Sequence, residues 1–241
     1  MSLVRALQER AARAQPASLV VESAGWVLRH SPGCSWWLSS VLPHRDGSLA
    51  SRVSLVEEFY AEHGTVARFQ MTPGVCPPSL DGLLASRGYR LESPVSLQTS
   101  SRALVPAGPL PVWVEDRPTS AWFDASYTMH GGDAVAERAL LSRVALPSAY
   151  ARVVVDSQVV AVGRAVLDTG WAGLFGMATL PAARGRGAAR SVLAALAAWA
   201  GGGGAEGLYL QVERDNWPAL RLYARAGFTE AARYHYRVSC G

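Results

Sequence analysis

The stretch Leu180-Pro181-Ala182-Ala183-Arg184-Gly185-Arg186-Gly187-Ala188-Ala189-Arg190 constrains this chain more than any other. It joins an apolar, strand-like run (Trp171 to Leu180) to an alanine- and leucine-rich helical run (Ser191 to Ala200). A short glycine-bearing turn that opens a helix gathers N–H groups without intrahelical acceptors, the positive end of the helix dipole and, here, arginine side chains. Such a turn binds phosphate or pyrophosphate. The expectation is a strand–turn–helix unit built around an anionic cofactor. The glycine spacing narrows the choice, because neither the Gly-x-Gly-x-x-Gly of dinucleotide folds nor a Gly-Lys-Ser/Thr triphosphate loop is present.

A second patch follows another apolar run, Gly207 to Val212. It reads Asn216-Trp217-Pro218-Ala219-Leu220-Arg221-Leu222-Tyr223-Ala224-Arg225-Ala226-Gly227-Phe228. Asn216 suits a helix N-cap and Gly227 the residue just past the helix end. Ala219, Leu222, Tyr223 and Ala226 share one helical face.

Arg184-x-x-Gly187-x-Ala189 resembles the pyrophosphate loop of the GNAT superfamily of acyl-CoA-dependent N-acyltransferases. The stretch from Asn216 to Phe228 resembles that superfamily's Asn-x-x-Ala-x-x-Leu-Tyr-x-x-x-Gly-Phe signature. The two occur in the family's order, each preceded by a strand, and the resemblance covers roughly 111–241. It implies an α/β fold with a GNAT-like mixed sheet flanked by helices, and acetyl-CoA as co-substrate with no metal. It further implies that Met177, Ala178 and Thr179 offer backbone groups to the cofactor arm. Arg184, Gly185, Arg186, Gly187, Ala188, Ala189 and Arg190 would hold the pyrophosphate, and Asn216 would hydrogen-bond the arm. Tyr223 matches the tyrosine that protonates the departing thiolate, a role for which a phenol is a workable acid.

The general base is open. Many relatives carry a glutamate where this chain has Gln211, which cannot accept a proton. Glu213, two residues on and on the same strand face, is the candidate substitute. Asp168, His130, Asp133 and His235 are further candidates. The acceptor is expected to be a primary amine, on a small molecule or a peptide, attacking the thioester directly in a ternary complex. Trp122, Phe123, Tyr127, Met129 and His130 lie in the variable acceptor-binding segment, and Tyr234 and Tyr236 on the last strand alternate with His235. The alternative is a CoA-binding regulatory or assembly module without transfer activity, a reading motivated by the missing glutamate.

Composition excludes other classes. Among 241 residues, 49% are hydrophobic and 17% charged, which describes a globular chain and not a disordered one. The net charge of +4 is mild, and every basic side chain is arginine, scattered without a stripe or aromatic interleaving. No nucleic-acid partner is expected. The three cysteines, Cys34, Cys76 and Cys240, form no metal or disulfide pattern. No uninterrupted apolar stretch reaches membrane length, and the amphipathic Ser2 to Gln15 is unlike a signal peptide. A cytoplasmic protein with no membrane partner is expected, its oligomeric state open.

The region 100–111, rich in proline and small residues, reads as a linker. Upstream of it the chain echoes its second half. Leu42-Pro43 stands 138 positions before Leu180-Pro181, Gln70 stands 141 before Gln211, and Gly88 stands 139 before Gly227. A near-constant offset across strand, helix, strand and helix implies an internal duplication. The turn after Pro43 reads His44-Arg45-Asp46-Gly47-Ser48, where an aspartate would repel a phosphate. The expected organisation is two GNAT-like lobes: a degenerate one over 1–100, a linker over 101–111, and an acetyl-CoA-binding catalytic domain over 112–241.

Overall fold

The computed structural model describes residues 2–45, 47–101 and 106–240, with Ser101 described in its backbone alone. Asp46 of the first-half turn and positions 102–105 of the expected linker therefore lie outside the described residues. Helix α1 (Leu3–Ala14) opens the chain, its first turn capped by Ser2, whose hydroxyl accepts from the Arg5 N–H. The first half continues as β1 (Leu19–Ser23), β2 (Trp26–His30), β3 (Val41–Leu42), α2 (Leu49–Glu62), β4 (Arg68–Met71), α3 (Leu80–Ser86) and β5 (Arg90–Ser101). The second half comprises β6 (Trp113–Glu115), α4 (Ser120–His130), α5 (Ala134–Ser142), β7 (Ser148–Val155), β8 (Gln158–Asp168) and β9 (Trp171–Thr179). It closes with α6 (Ala188–Gly202), β10 (Gly207–Glu213), α7 (Trp217–Arg225) and β11 (Thr229–Val238).

Local chemistry accounts for these elements. Two-residue turns with left-handed backbone at both positions close the β7–β8 and β8–β9 hairpins. They are Asp156-Ser157 (φ 47° and 64°) and Thr169-Gly170 (φ 45° and 77°). Such turns match the right-handed twist of paired strands. Helix α6 buries Ala188, Val192, Leu193, Leu196 and Ala200, the helical-period stripe that faces the sheet. Gly163 in β8 leaves room for that packing, since a β-carbon there would sit 2.4 Å from the Met177 sulfur and 2.8 Å from Val192.

All strands join one mixed sheet in the order β1-β2-β3-β4-β11-β5-β10-β9-β8-β7-β6. The unit β3-α2-β4-α3-β5 repeats as β9-α6-β10-α7-β11, and the glycines that end α3 and α7, Gly88 and Gly227, adopt φ of 82° and 84°. This is the two-lobed GNAT-like architecture expected from the sequence. The repeats are not simply juxtaposed. Strand β5, from the first half, lies between β10 and β11 of the second, and β11 pairs with β4 of the first. Each half thus receives its neighbour's last strand. The sheet runs through both repeats.

The sequence reading missed β5. Its alternation is interrupted at Ser93-Pro94, where Ser93 has φ 46°, and its end runs through Ser100 into the segment read as linker. Residues 108–110 of that segment pack on the start of α6, with the Leu110 N–H donating to the Ser191 hydroxyl at 3.1 Å. The hydrophobic interior lies on both sheet faces. One cluster packs under α6 and α7, a second belongs to the first half, and two smaller ones sit beneath α1 and α4.

Candidate active site

Strands β9 and β10 run parallel and pair from Trp171 and Gly207 to Leu174 and Leu210, then separate. Gly176, with φ 58°, and a register irregularity against β8 between Val162 and Arg164 turn the end of β9 away. Strand β10 meanwhile stays paired with β5 as far as Glu213. Residues 175–179 and 211–213 therefore flank a gap without a ladder between them. Met177, Ala178 and Thr179 border it, and backbone groups without partners in such a gap await a ligand.

The turn after β9 follows from its glycines. Pro181–Ala183 form a single 3-10 turn, and Gly185 and Gly187 take φ of 76° and 84°. The first N–H of α6 to reach back to a turn carbonyl is that of Ser191, to Gly187 at 2.9 Å. The N–H groups of Ala188, Ala189 and Arg190 are those a helix start leaves open. A side chain at 187 would be strained by its φ and would meet Pro109 at 2.5 Å, so the cradle admits only glycine. Arg184, Arg186 and Arg190 are exposed and, among the described residues, form no ion pair. The donor set is all N–H and guanidinium, and it fits a diphosphate.

The matching turn of the first half is filled by protein. The Arg45 carbonyl accepts from the Trp26 indole at 2.8 Å and from Arg52 at 3.0 Å. The Arg52 guanidinium stands 2.2 Å from where a β-carbon on Gly47 would lie. Arg5 of α1 donates to the His44 carbonyl from the other side.

A cavity of about 640 Å³ opens from the gap onto the face opposite α6. Met177, Val212, Glu213, Asn216 and Tyr223 line it at the gap. Asn216 caps α7, accepting from the Ala219 N–H at 3.2 Å. Tyr223 is 7% exposed with its ring against Phe228, and burial pushes its hydroxyl up to about 12. The phenol therefore stays protonated across the neutral range and is held as a donor.

Among the candidate bases the structure separates cavity residues from structural ones. Glu213 lines the cavity, as does Gln211, whose Oε1 accepts from the Tyr234 hydroxyl. His130 also faces the cavity, at the end of α4. Asp133 caps α5 through the N–H groups of Val135 and Ala136. Asp168 is paired with Arg13 at 2.7 Å, and His235 with Asp81 at 2.9 Å. None of these three lines the cavity. Trp122, Phe123 and Tyr127 line it from α4, and Tyr234 and Tyr236 from β11.

Two charged second-half residues that face the cavity escaped the sequence reading. Glu137 of α5 lies on its wall, its carboxyl raised by burial. Arg164 of β8 is 3% exposed and lines the same space. The available signal was a lone charge inside Val159-Val160-Ala161-Val162-Gly163-Arg164-Ala165-Val166, an otherwise apolar strand.

Comparison with known proteins agrees with this fold. The family described as "Probable histone acetyltransferase Rv0428c C-terminal" matches residues 1–237. A Bacillus subtilis (strain 168) protein named "Uncharacterized N-acetyltransferase YobR" is 25% identical over 251 residues, covering 99% of each chain. A GCN5-related N-acetyltransferase from Kribbella flavida superposes with a TM-score of 0.74 at 19% identity, covering 100% of this chain and 97% of its own. A tandem GNAT protein from the clavulanic acid biosynthesis pathway gives 0.67 at 14% identity, covering 91% of this chain and 81% of its own. The chain belongs to the Rv0428c C-terminal acetyltransferase family and is an acetyltransferase of the GNAT type.

Proposed function

We propose that the protein transfers an acetyl group from acetyl-CoA to a primary amine, on a small molecule or a peptide, by direct attack in a ternary complex. The observation that carries this reading is the β9–β10 gap, continuous at one end with the all-donor turn at 184–190 and at the other with Tyr223. In this reading acetyl-CoA supplies the thioester. Arg184, Gly185, Arg186, Gly187, Ala188, Ala189 and Arg190 hold its diphosphate. The free backbone edge of Met177, Ala178 and Thr179 and the side chain of Asn216 hold its arm.

One N–H of that edge, aligned with the thioester oxygen, would contribute about 3 kcal/mol to the transition state. Glu213 takes the proton that the attacking amine must lose, and the Tyr223 hydroxyl gives a proton to the thiolate as it departs. The domain assignment proposed alongside is a catalytic unit over 112–241 and a first lobe over 1–100 that forms the opposite cavity wall. Support for a non-catalytic first lobe is the packing of Arg5, Trp26 and Arg52 against His44, Arg45 and Gly47.

The test is CoA-thiol release over a panel of amines, peptides and aminoglycosides. Acetyl-CoA-dependent release with at least one amine is expected. Release unaffected by Cys34→Ser is also expected, because Cys34 lines the cavity but direct attack uses no protein nucleophile. Tight acetyl-CoA binding with no release across the panel would favour a binding module instead.

A further inference from the structure

We infer that the amine acceptor carries a carboxylate and that Arg164 is the residue that binds it; this rests on the acyl transfer proposed above and names its substrate class. Arg164 sits mid-strand in β8, with Tyr150 of β7 and Phe175 of β9 as its cross-strand neighbours. Its guanidinium carbon lies 5.2 Å from the Phe175 ring centre. Its Nη1 is buried without a hydrogen-bond partner, and among the described residues no carboxylate lies within ion-pair distance. A guanidinium cannot shed its proton, so it cannot escape burial by neutralising. The guanidinium donates to the Tyr150 hydroxyl, and Glu137 attracts it from beyond ion-pair distance. A buried cation without a paired anion is unfavourable, and the cavity is where an anion can enter.

Arg29 provides the contrast. It occupies β2 of the first half, is 6% exposed and lines the same cavity. Its guanidinium is taken up by protein: Nε donates to the Ser40 carbonyl at 3.3 Å, and Nη2 donates to the Trp37 carbonyl at 3.3 Å and the Ser40 hydroxyl at 2.6 Å. One buried arginine is thus held by three donations to protein oxygens, while the other, beside Tyr150, keeps Nη1 without a partner in the half that carries the β9–β10 gap.

The anion is a carboxylate and not a phosphate. The fork of Arg164 matches two carboxylate oxygens, whereas a dianionic phosphate would also face Glu137 on the same wall. Glu137 in turn favours a nearby ammonium. An acceptor with one carboxylate and one amine, such as an amino acid or a peptide end, satisfies both. The aromatic rings of Trp122, Phe123 and Tyr127 line the remaining space.

The test pairs each amino acid of a broad panel with its carboxamide and its decarboxylated amine, in the thiol-release assay on the full chain. Carboxylate members are expected to exceed their partners in kcat/KM by at least about 100-fold. Arg164→Gln should collapse that ratio to within a few-fold while leaving acetyl-CoA affinity unchanged. Because the wild-type comparison needs no variant, a misfolded Arg164→Gln protein does not spare the inference. Equal turnover of carboxylates and carboxamides overturns it and leaves the acyl-transfer reading intact. If no member is acetylated, the same pairs are titrated calorimetrically against the CoA complex. Carboxylate-dependent heat would uphold the inference, and its absence would overturn it.

Discussion

The Tyr234 hydroxyl donates to Oε1 of Gln211, so the strand position closest to the β9–β10 gap is occupied by a neutral acceptor engaged with β11. Two residues on, Glu213 is exposed and borders the same cavity. In the proposed reaction the proton of the incoming amine would go to a carboxylate on β10 at position 213 and not at position 211. Glu213→Gln is expected to lower kcat about 100-fold at neutral pH, with the KM for acetyl-CoA within two-fold. A steady-state pH profile checks it. An unchanged kcat would move the base elsewhere in the cavity, to His130 or Glu137.

Tyr223→Phe removes only the hydroxyl from a side chain that is otherwise packed. We expect turnover to fall by about 100-fold or more with acetyl-CoA affinity preserved. Thermal stability should change by less than about 1 kcal/mol, because no protein partner of that hydroxyl is lost. Normal turnover in a free-thiol assay would retire Tyr223 from proton donation.

His44 links pH to stability. Burial depresses its imidazole from 6.5 to about 4, and its nearest carboxylate, Glu9, stands 3.5 Å from Nδ1, too far for a strong hydrogen bond. Between those two values the unfolded chain binds more protons than the folded one. The neutral imidazole's contribution is therefore complete above about 6.5 and is lost as the pH falls toward 4, amounting to about 3 kcal/mol. Denaturant unfolding of the wild type and of His44→Phe at pH 7.5, 6, 5 and 4.5 should show a steeper loss in the wild type. Parallel curves would contradict this.

The strand exchange makes the halves interdependent. Residues 112–241 expressed alone leave β10 and β11 without β5 between them, and an exposed row of unpaired ladder groups invites aggregation. That fragment is expected to be insoluble or to lack cooperative unfolding. Residues 1–101 and 106–241, expressed together as two chains, should co-purify as a folded complex. A stable, cooperatively unfolding monomer of 112–241 would contradict the exchange.

Much of this architecture was legible because its signals are local. The glycines at 185 and 187, the cap at Asn216 and the stripe of Ala219, Tyr223 and Ala226 each act through neighbours a few residues away, and strands 171–179, 207–213 and 229–238 begin and end where read. The duplication was legible from spacing. The exchange of β5 and β11 was not, since pairing partners more than a hundred residues apart leave no periodic trace. Arg164 and Glu137 escaped for a related reason: what matters about each is the cavity it faces, which only tertiary packing creates. His235 and Asp168 looked catalytic by residue type and are tied up by Asp81 and Arg13.

The most direct measurement is calorimetric titration of the full chain with CoA and acetyl-CoA. Saturable binding with one site per chain is expected, because the second-half turn presents exposed Arg184, Arg186 and Arg190 with open space at Gly185, whereas Arg52 packs into the first-half turn at Gly47. Gly187→Ala should weaken it at least about ten-fold through strain in the cradle at φ 84°. No heat of binding to protein shown to be folded would contradict the account.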